Sequence, residues 1–261
     1  MLVHVVADYG AGDLAFAEVA QRFAFHLPGA HVLTTPVGPF DTLAAGFCVA
    51  QLALGEGPAD RVVFHNVAPR QDLREARDAN EGERLSAARL ETGLWVVGPN
   101  AGHTLSFLRD EAVALHELDV PAAGSQFRSR DLFPQAVARL VDGDEQVLGA
   151  RLDPAGVPAP PESTIAYVDG YGNIKTTLTE PPAPTGARVL IRIGGVAATA
   201  VVGDETFAVE EGDLALAPGS SGWPLRRGGR VAFYELLLRG ASAAARFAHP
   251  TVGSPIEVTV P

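Results

Sequence analysis

A proline-rich stretch divides this 261-residue chain into two parts whose hydrophobic patterns differ. The stretch is LDPAGVPAPPES, residues 152–163, and it carries four prolines in twelve residues without hydrophobic periodicity. Proline at this density favours a connection between domains over a packed helix or strand. We therefore predict an N-terminal domain at 1–152, a linker at 153–163 and a C-terminal domain at 164–261.

The N-terminal part alternates apolar, strand-like runs with helical runs. The predicted strands are LVHVVA, HVLTTPV, RVVFHNV, LWVVG and AVALHEL, and the predicted helices are LAFAEVAQRFAFHL, DTLAAGFCVAQLAL, AGHTLSFLRD and SRDLFPQAVARLVDG. Asp13 and Asp41 are the predicted N-caps of the first two helices. The charged segment QDLREARDANEGER has no clean apolar stripe, which indicates a solvated insertion or a short surface helix. This alternation predicts an α/β domain with a mainly parallel sheet.

The C-terminal part consists of short strand-like runs with frequent turn signals. The runs are STIAYV, NIKTTL, ARVLIRIG, VAATAVV, DLALA, RVAFYEL and IEVTV. PGSSGW, residues 218–223, is interpreted as a Gly/Ser loop after DLALA, and LLRGASAAARF is the single helical candidate. Short strands of this kind predict a smaller all-β, barrel-like domain.

Composition and common motifs argue against several classes of protein. The formal net charge is -11 with only 20 lysines and arginines, whereas nucleic acids and anionic membranes attract basic surfaces. The single cysteine, Cys48, rules out a disulfide within the chain. We expect a cytoplasmic protein, because the N-terminus has no signal-peptide pattern and no apolar run reaches the roughly 20 residues of a membrane span. The sequence has no Walker loop, GxGxxG, HExxH, CxxC or GxSxG motif, so we expect no metal and no separate cofactor.

Polar residues follow the predicted strands of the first part. Asp8 and Asp13 bracket a glycine-containing loop after the first strand, at the edge where open α/β sheets bind ligands. An ionised aspartate there can accept both hydroxyls of a ribose, although Asp13 is better explained as a helix cap. His65 ends the third strand and His103 follows GPNAG, where we expect a structural role for His103. Ser129 in FRSRDLF lies at a predicted helix start, which suits either an anion site or a simple cap.

The stretch IAYVDGYGNIKTTL, residues 165–178, predicts a hairpin with an unusual turn. Asp169, Tyr171 and Asn173 bring a carboxylate, an aromatic face and a carboxamide into five consecutive residues. Such a set can bind a polar, flat ligand, whereas the simpler interpretation is an Asp-Gly turn stabilised by its own side chains. Ser220 in PGSSGW likewise suits either a carboxylate cradle or an ordinary turn.

Six segments, in their order along the chain, resemble one enzyme family. They are ADYGAGD, TPVGPFDTLAAGF, WVVGPNAG, FRSRDLF, YVDGYGN and LAPGSSGW. Together they are similar to the S-adenosyl-L-methionine (SAM) hydroxide adenosyltransferases, the adenosine-forming SAM hydrolases related to fluorinase and chlorinase. The resemblance covers nearly the whole chain. It implies an α/β N-terminal domain, a barrel-like C-terminal domain and a homotrimer that binds SAM at its subunit interface.

For the first part, the resemblance implies a site for the nucleoside. Asp8 would accept the ribose 2′- and 3′-hydroxyls, and Phe40 would form an apolar wall near the ribose and the sulfonium. Asp13 and Phe127 lie in the same motifs and are included among the ligand-binding residues.

For the second part, the resemblance implies a site for the amino-acid end of SAM and for the adenine edge. Asp169 would hold the methionine ammonium together with Ser220. Asn173 and the backbone near Gly240 would contact the adenine, and Tyr171 belongs to the same motif.

This sequence departs from the family's pattern at the residues that activate water. The family's VDPGVG motif reads FHNVAP here, with His65 at the aspartate position, and its FHGRD motif reads FRSRD, with Arg128 at the histidine position. The family's arginine corresponds to Arg70 or Arg84, and its PDNG motif reads PNAG. Ser129 takes the place of the halide-binding serine of fluorinase.

These features lead to three hypotheses of function. The first is attack of water or hydroxide on C5′ of SAM, giving adenosine and L-methionine. His65 would orient the water, with Ser129 and a nearby arginine as hydrogen-bond partners. Arg70 and Arg128 are included with His65 and Ser129 among the predicted catalytic residues. The second hypothesis is a non-catalytic protein that binds SAM or adenosine, and the third is a SAM-dependent halogenase.

Overall fold

The computed structural model describes residues 1–71, 74–75, 82–121 and 125–260. It divides into two compact units, Met1–Ala159 and Pro160–Pro261. Most of the predicted charged insertion, residues 71–84, lies outside the described residues. No described helix has the length and apolar character that a membrane crossing requires.

The first unit contains seven strands and four α-helices among its described residues. In chain order they are β1 (Leu2–Ala7), α1 (Leu14–His26), β2 (His31–Pro36), α2 (Thr42–Leu54), β3 (Arg61–Asn66), β4 (Leu85–Leu90), β5 (Trp95–Pro99), β6 (Ala112–Leu118), α3 (Arg128–Asp131), α4 (Phe133–Val141) and β7 (Leu148–Leu152). Short 3-10 turns lie at Ser106–Leu108, Glu145–Val147 and Pro154–Gly156.

The first sheet is mixed rather than mainly parallel, so that part of the prediction was wrong. Its order is β2-β1-β3-β5-β4-β6-β7, and the pairs from β2 to β5 are parallel while those from β5 to β7 are antiparallel. The cause is a tight hairpin between β4 and β5, in which Gly93 adopts a φ of +85°. A hairpin joins neighbouring strands in antiparallel orientation, whereas the expected helical crossover would have kept them parallel.

Helices cover the two faces of this sheet. Phe23 of α1 and Phe133 of α4 pack edge-on against Phe64 of β3, with ring centroids 5.2 and 6.5 Å apart. α2 contacts β1 and β3 but shares no residue with that cluster, so it lies on the opposite face. Asp13 and Asp41 cap α1 and α2 as predicted, since their carboxylates accept the Ala15 and Ala44 amides.

Two helix predictions need correction. The run from Ser129 forms two helices, because the chain leaves helical hydrogen bonding at Leu132 before Pro134 enters the first turn of α4. AGHTLSFLRD forms only the 3-10 turn at Ser106–Leu108.

The second unit is a curled half-barrel of seven strands. They are β8 (Ile165–Val168), β9 (Ile174–Thr176), β10 (Arg188–Ile193), β11 (Val196–Val202), β12 (Leu214–Pro224), β13 (Arg230–Leu238) and β14 (Ile256–Thr259), with one short helix, α5 (Ala243–Arg246), and a 3-10 turn at Thr206–Ala208. The order is β14-β10-β11-β12-β13-β9-β8, and the two edges meet through a bridge between Thr164 and Pro255.

The Gly/Ser segment predicted as a loop is part of a strand. β12 runs through Pro218–Trp223 and pairs with β13, with a shift in register between Pro218 and Gly222. A bulge of this kind bends a strand without ending it, which is why its glycines and serines resemble a turn in the sequence.

Candidate active site

A cleft of about 700 Å³ lies in the first unit, at the carboxyl ends of the parallel strands β1, β3 and β5. Seven of the eight residues that sequence analysis assigned to a site in this unit line the cleft. They are Asp8, Asp13, Phe40, Arg70, Phe127, Arg128 and Ser129. The eighth, His65, does not line it. The volume and the mixture of carboxylates, aromatic rings and hydroxyls are typical of small-molecule sites.

Asp8 organises one wall of the cleft. Its Oδ2 accepts the Phe40 amide at 2.9 Å, and Phe40 has a positive φ of +58°. The hydrogen bond therefore holds the loop after β2 in a conformation that is rarely adopted by a residue other than glycine. Phe40 stays 56 % exposed, so its ring is available for contact with a ligand. Because a carboxylate offers about four lone-pair positions, Asp8 retains acceptor capacity after this bond.

Asp13 serves as a helix cap within the same cleft. Its Oδ1 accepts the Ala15 amide at 2.8 Å at the first turn of α1. The capping interpretation of Asp13 therefore agrees with the geometry, and Asp8 is the better candidate for binding a ligand hydroxyl.

Tyr9 is a cleft residue that sequence analysis missed. Its hydroxyl donates a hydrogen bond to Ser129 Oγ at 2.8 Å, and its ring packs edge-on against Phe16 and Phe127. Burial, and to a lesser extent Asp8, raises the pKa of the phenol above its ordinary value, against opposing hydrogen bonds with Ser129 and Asn66. The phenol therefore remains protonated and acts as a donor. Its position directly after Asp8 at the strand end was the signal that could have identified it.

The structure distinguishes between the candidate arginines. Arg128 stacks over the Phe133 ring, with its guanidinium carbon 5.4 Å from the centroid, and it donates to the Pro121 carbonyl at 3.1 Å. Arg70 lines the cleft, whereas Arg84 forms an ion pair with Glu117 at 3.1 Å and does not line it. Of these two arginines, only Arg70 is therefore placed to contact a ligand in the cleft.

His65 is buried in the core, so the predicted role as a water-orienting base is not supported. Its side chain is fully buried, and neither ring nitrogen has a hydrogen-bond partner among the described residues. Burial lowers the pKa of its imidazole to about 3. Side chains alternate along a strand, so Asn66 reaches the cleft while His65 points to the opposite face of the sheet. There the ring lies so close to Gly98 that a Cβ at that position would overlap it.

His103 has the structural role that we predicted. Its Nδ1 shares a hydrogen bond with Ser106 Oγ at 2.9 Å, and its backbone amide donates to Thr42 Oγ1 at 3.2 Å.

In the second unit, the hairpin turn is held by its own aspartate. Asp169 Oδ1 accepts the amides of Tyr171 and Asn173 at 2.9 and 3.0 Å, and its Oδ2 accepts the Asn173 side-chain amide at 3.0 Å. The simpler interpretation of this turn is thus correct as far as its fold is concerned. Three of about four lone-pair positions of the carboxylate are used, so one remains for a ligand. Tyr171 is 85 % exposed at the tip.

The segment after Gly240 lies against this hairpin. Gly172 packs so closely on Ser242 that a side chain at position 172 would overlap its hydroxyl, and the Gly172 carbonyl accepts the Ala244 amide at 2.8 Å. The structure therefore brings together the Asp169–Asn173 turn and the backbone near Gly240, two parts of the predicted ligand site.

A buried ion pair that the sequence did not reveal lies beneath the same turn. Lys175 Nζ is 2.6 Å from Glu235 Oε1 and 3.9 Å from Asp169 Oδ2. The Glu235 carboxyl group lies against the backbone of Gly219, directly before the exposed Ser220. Charged side chains thus connect Asp169 with the bulge of β12.

Comparison with known proteins shows which fold this chain shares with solved structures and does not identify an activity. No protein-family model and no curated protein matches this chain. An uncharacterized conserved protein from Thermotoga maritima has a similar crystal structure, with a TM-score of 0.77 and 18 % identity over 98 % of this chain and 99 % of that one. A conserved hypothetical protein from Thermus thermophilus is also similar, with a TM-score of 0.69 and 25 % identity over 98 % of each chain. The complete fold is therefore shared with solved structures whose own descriptions give no activity.

Proposed function

We propose that the protein binds SAM and catalyses attack of water or hydroxide on its C5′ atom, releasing adenosine and L-methionine. The observation that carries the proposal is the convergence of Asp8, Phe40, Phe127 and Ser129 on one cleft at the carboxyl ends of β1, β3 and β5. These four residues belong to three separate segments that resemble the SAM hydroxide adenosyltransferases. The homotrimer implied by the same resemblance is part of the proposal, and sedimentation equilibrium tests it.

The chemistry requires that water be positioned rather than strongly activated. Methionine leaves readily from a sulfonium, so no general acid is needed at sulfur, and catalysis rests on holding water in line with the C5′–S bond. The Tyr9–Ser129 pair can take the role first assigned to His65. Tyr9 donates to Ser129 Oγ, which leaves the Ser129 hydroxyl proton for an acceptor in the cleft.

Replacing Asp8 by asparagine is expected to weaken binding of SAM and of adenosine by about 10- to 100-fold, because a charged acceptor of the ribose hydroxyls is lost. The asparagine oxygen can still accept the Phe40 amide, so the loop should persist. Calorimetric titration measures both affinities. Asp13→Asn is the matched control, and its affinities are expected to stay within about twofold of wild type. Equal losses of affinity in the two variants would contradict the assignment of Asp8 as the acceptor of the ribose hydroxyls.

Replacing Tyr9 by phenylalanine is expected to lower kcat for SAM hydrolysis by about 10- to 100-fold with little change in KM, because the donor that orients Ser129 is lost. Steady-state release of adenosine provides both constants. Tyr234→Phe removes a phenol from the second unit and should leave both constants unchanged. A higher KM with unchanged kcat in Tyr9→Phe would show that Tyr9 binds the substrate instead.

A non-catalytic SAM- or adenosine-binding protein is the alternative, and the burial of His65 favours it. The residue at the position of the family's aspartate is enclosed and does not line the cleft. A protein of this kind would bind SAM at the same cleft and return it unchanged.

A further inference from the structure

Lys175 is the only lysine among the 20 lysines and arginines of this chain, and it is buried. It projects from β9 opposite Glu235 of β13, whose side chain is 3 % exposed. Its Nζ contacts Glu235 Oε1 at 2.6 Å and lies 3.9 Å from Asp169 Oδ2. The ammonium therefore lies between two carboxylates but bonds to one of them.

The charges of this cluster do not cancel. One ammonium faces the Glu235 and Asp169 carboxylates, which leaves a formal charge of -1. Because Glu235 is the bonded partner, the excess negative charge resides at Asp169, whose side chain is 22 % exposed. The side of the cluster that solvent can reach is thus the anionic side.

A lysine suits this arrangement better than an arginine. Lysine carries a compact charge, whereas the planar fork of an arginine can bind two acceptors at once. A guanidinium at position 175 could bridge Glu235 and Asp169 and would then neutralise both.

We propose that Glu235 is a specificity-determining positioning residue that engages Lys175 and thereby keeps it from hydrogen-bonding to Asp169, so that the Asp169 carboxylate can bind the ammonium group of an amino-acid ligand. The inference rests on the proposed function and on the role that the resemblance implies for Asp169, which is to hold the methionine ammonium of SAM. Without the Glu235 charge, Lys175 needs to move only about 1 Å to reach hydrogen-bond distance of Asp169. Lys175 would then neutralise Asp169, and the site would no longer attract an ammonium group.

Two ligands separate this effect from general damage to the protein. SAM carries the amino-acid end on a sulfonium, whereas 5′-methylthioadenosine has the same nucleoside and an uncharged thioether sulfur without that end. In calorimetric titrations, Glu235→Gln is expected to weaken SAM binding about tenfold while the affinity for 5′-methylthioadenosine stays within about twofold. Equal losses for both ligands, or no loss for SAM, would overturn the inference.

The double variant Lys175→Met with Glu235→Leu tests whether the loss of SAM affinity in Glu235→Gln is caused by Lys175. It removes the competing cation together with its partner, and buried ion pairs tolerate apolar replacement better than loss of one member. The wild-type preference for SAM over 5′-methylthioadenosine is expected to persist within about threefold. Loss of that preference would show that the pair itself binds the ligand. A wild-type protein that binds neither ligand would instead refute the proposed function.

A measurement without ligand tests the lysine directly. Incorporation of lysine labelled with 15N at Nζ gives a single side-chain signal, because the chain has one lysine. In Glu235→Gln this signal is expected to shift but to keep slow proton exchange, as Lys175 moves to Asp169. Loss of the signal through rapid exchange would show that Lys175 has moved to solvent, and the inference would fail.

Discussion

Lowering the pH from 6.5 to 4.5 is expected to cost the first unit about 2 kcal/mol of stability through His65 alone. Burial depresses the pKa of this imidazole from 6.5 to about 3. Below pH 6.5 the unfolded chain therefore takes up a proton that the folded protein does not. Stability should fall by about 1 kcal/mol per pH unit on average between pH 6.5 and pH 4.5, and the effect of His65 should fade above pH 7, where the unfolded imidazole is also neutral.

The comparison with His65→Leu isolates this effect. His4 and His26 also have lowered pKa values, through burial and through nearby arginines, and they remain in the variant. Urea unfolding followed by the fluorescence of Trp95, in a Trp223→Phe background, reports on the first unit. The mean slope of stability against pH between 6.5 and 4.5 should be about 1 kcal/mol per unit smaller in His65→Leu. Identical slopes would mean that His65 can be protonated in the folded protein, and its burial would be wrong.

Replacing Gly219 by alanine is expected to destabilise the second unit by about 3–5 kcal/mol. A Cβ at this position would overlap the carboxyl group of Glu235, which is enclosed and bonded to Lys175. Displacing Glu235 would break its bond with Lys175 and leave the Glu235 carboxylate without a partner in a buried site, and that loss dominates the cost. Trp223, which is 2 % exposed, reports on this unit in a Trp95→Phe background.

Repeating Gly219→Ala in a background without the ion pair tests whether the Glu235 carboxyl group causes the loss of stability. In Lys175→Met with Glu235→Ala, the carboxyl group that an alanine at 219 would meet is absent. Gly219→Ala should then change the free energy of unfolding by less than about 1 kcal/mol. A full loss of stability in this background would assign the effect to the backbone of the β12 bulge.

The sequence predicted secondary structure best where the hydrophobic pattern had a clear period. The short runs of the second part fall where β8 to β14 lie, and Asp13 and Asp41 begin α1 and α2. β4 was missed because LSAARL, although mostly buried, contains no β-branched or aromatic residue and directly follows the charged segment. That omission also concealed the hairpin that makes the first sheet mixed.

Side-chain direction explains what the sequence could and could not predict about the site. The strand-end argument led to Asp8, which lines the cleft at the carboxyl edge of the parallel strands. The same argument misplaced His65, since β3 is buried on both faces and its apolar run shows no alternation. The Lys175–Glu235 pair joins residues 60 positions apart, and no local pattern reports such a contact.

The most direct test of the proposed reaction is incubation with SAM in water enriched in 18O, followed by mass spectrometry of the products. The proposal predicts adenosine that carries one 18O atom at its 5′-hydroxyl, together with an equal amount of unlabelled methionine. Its formation should be strongly reduced in Asp8→Asn. SAM that is bound but recovered intact would contradict the proposed reaction and identify the protein as a non-catalytic binder.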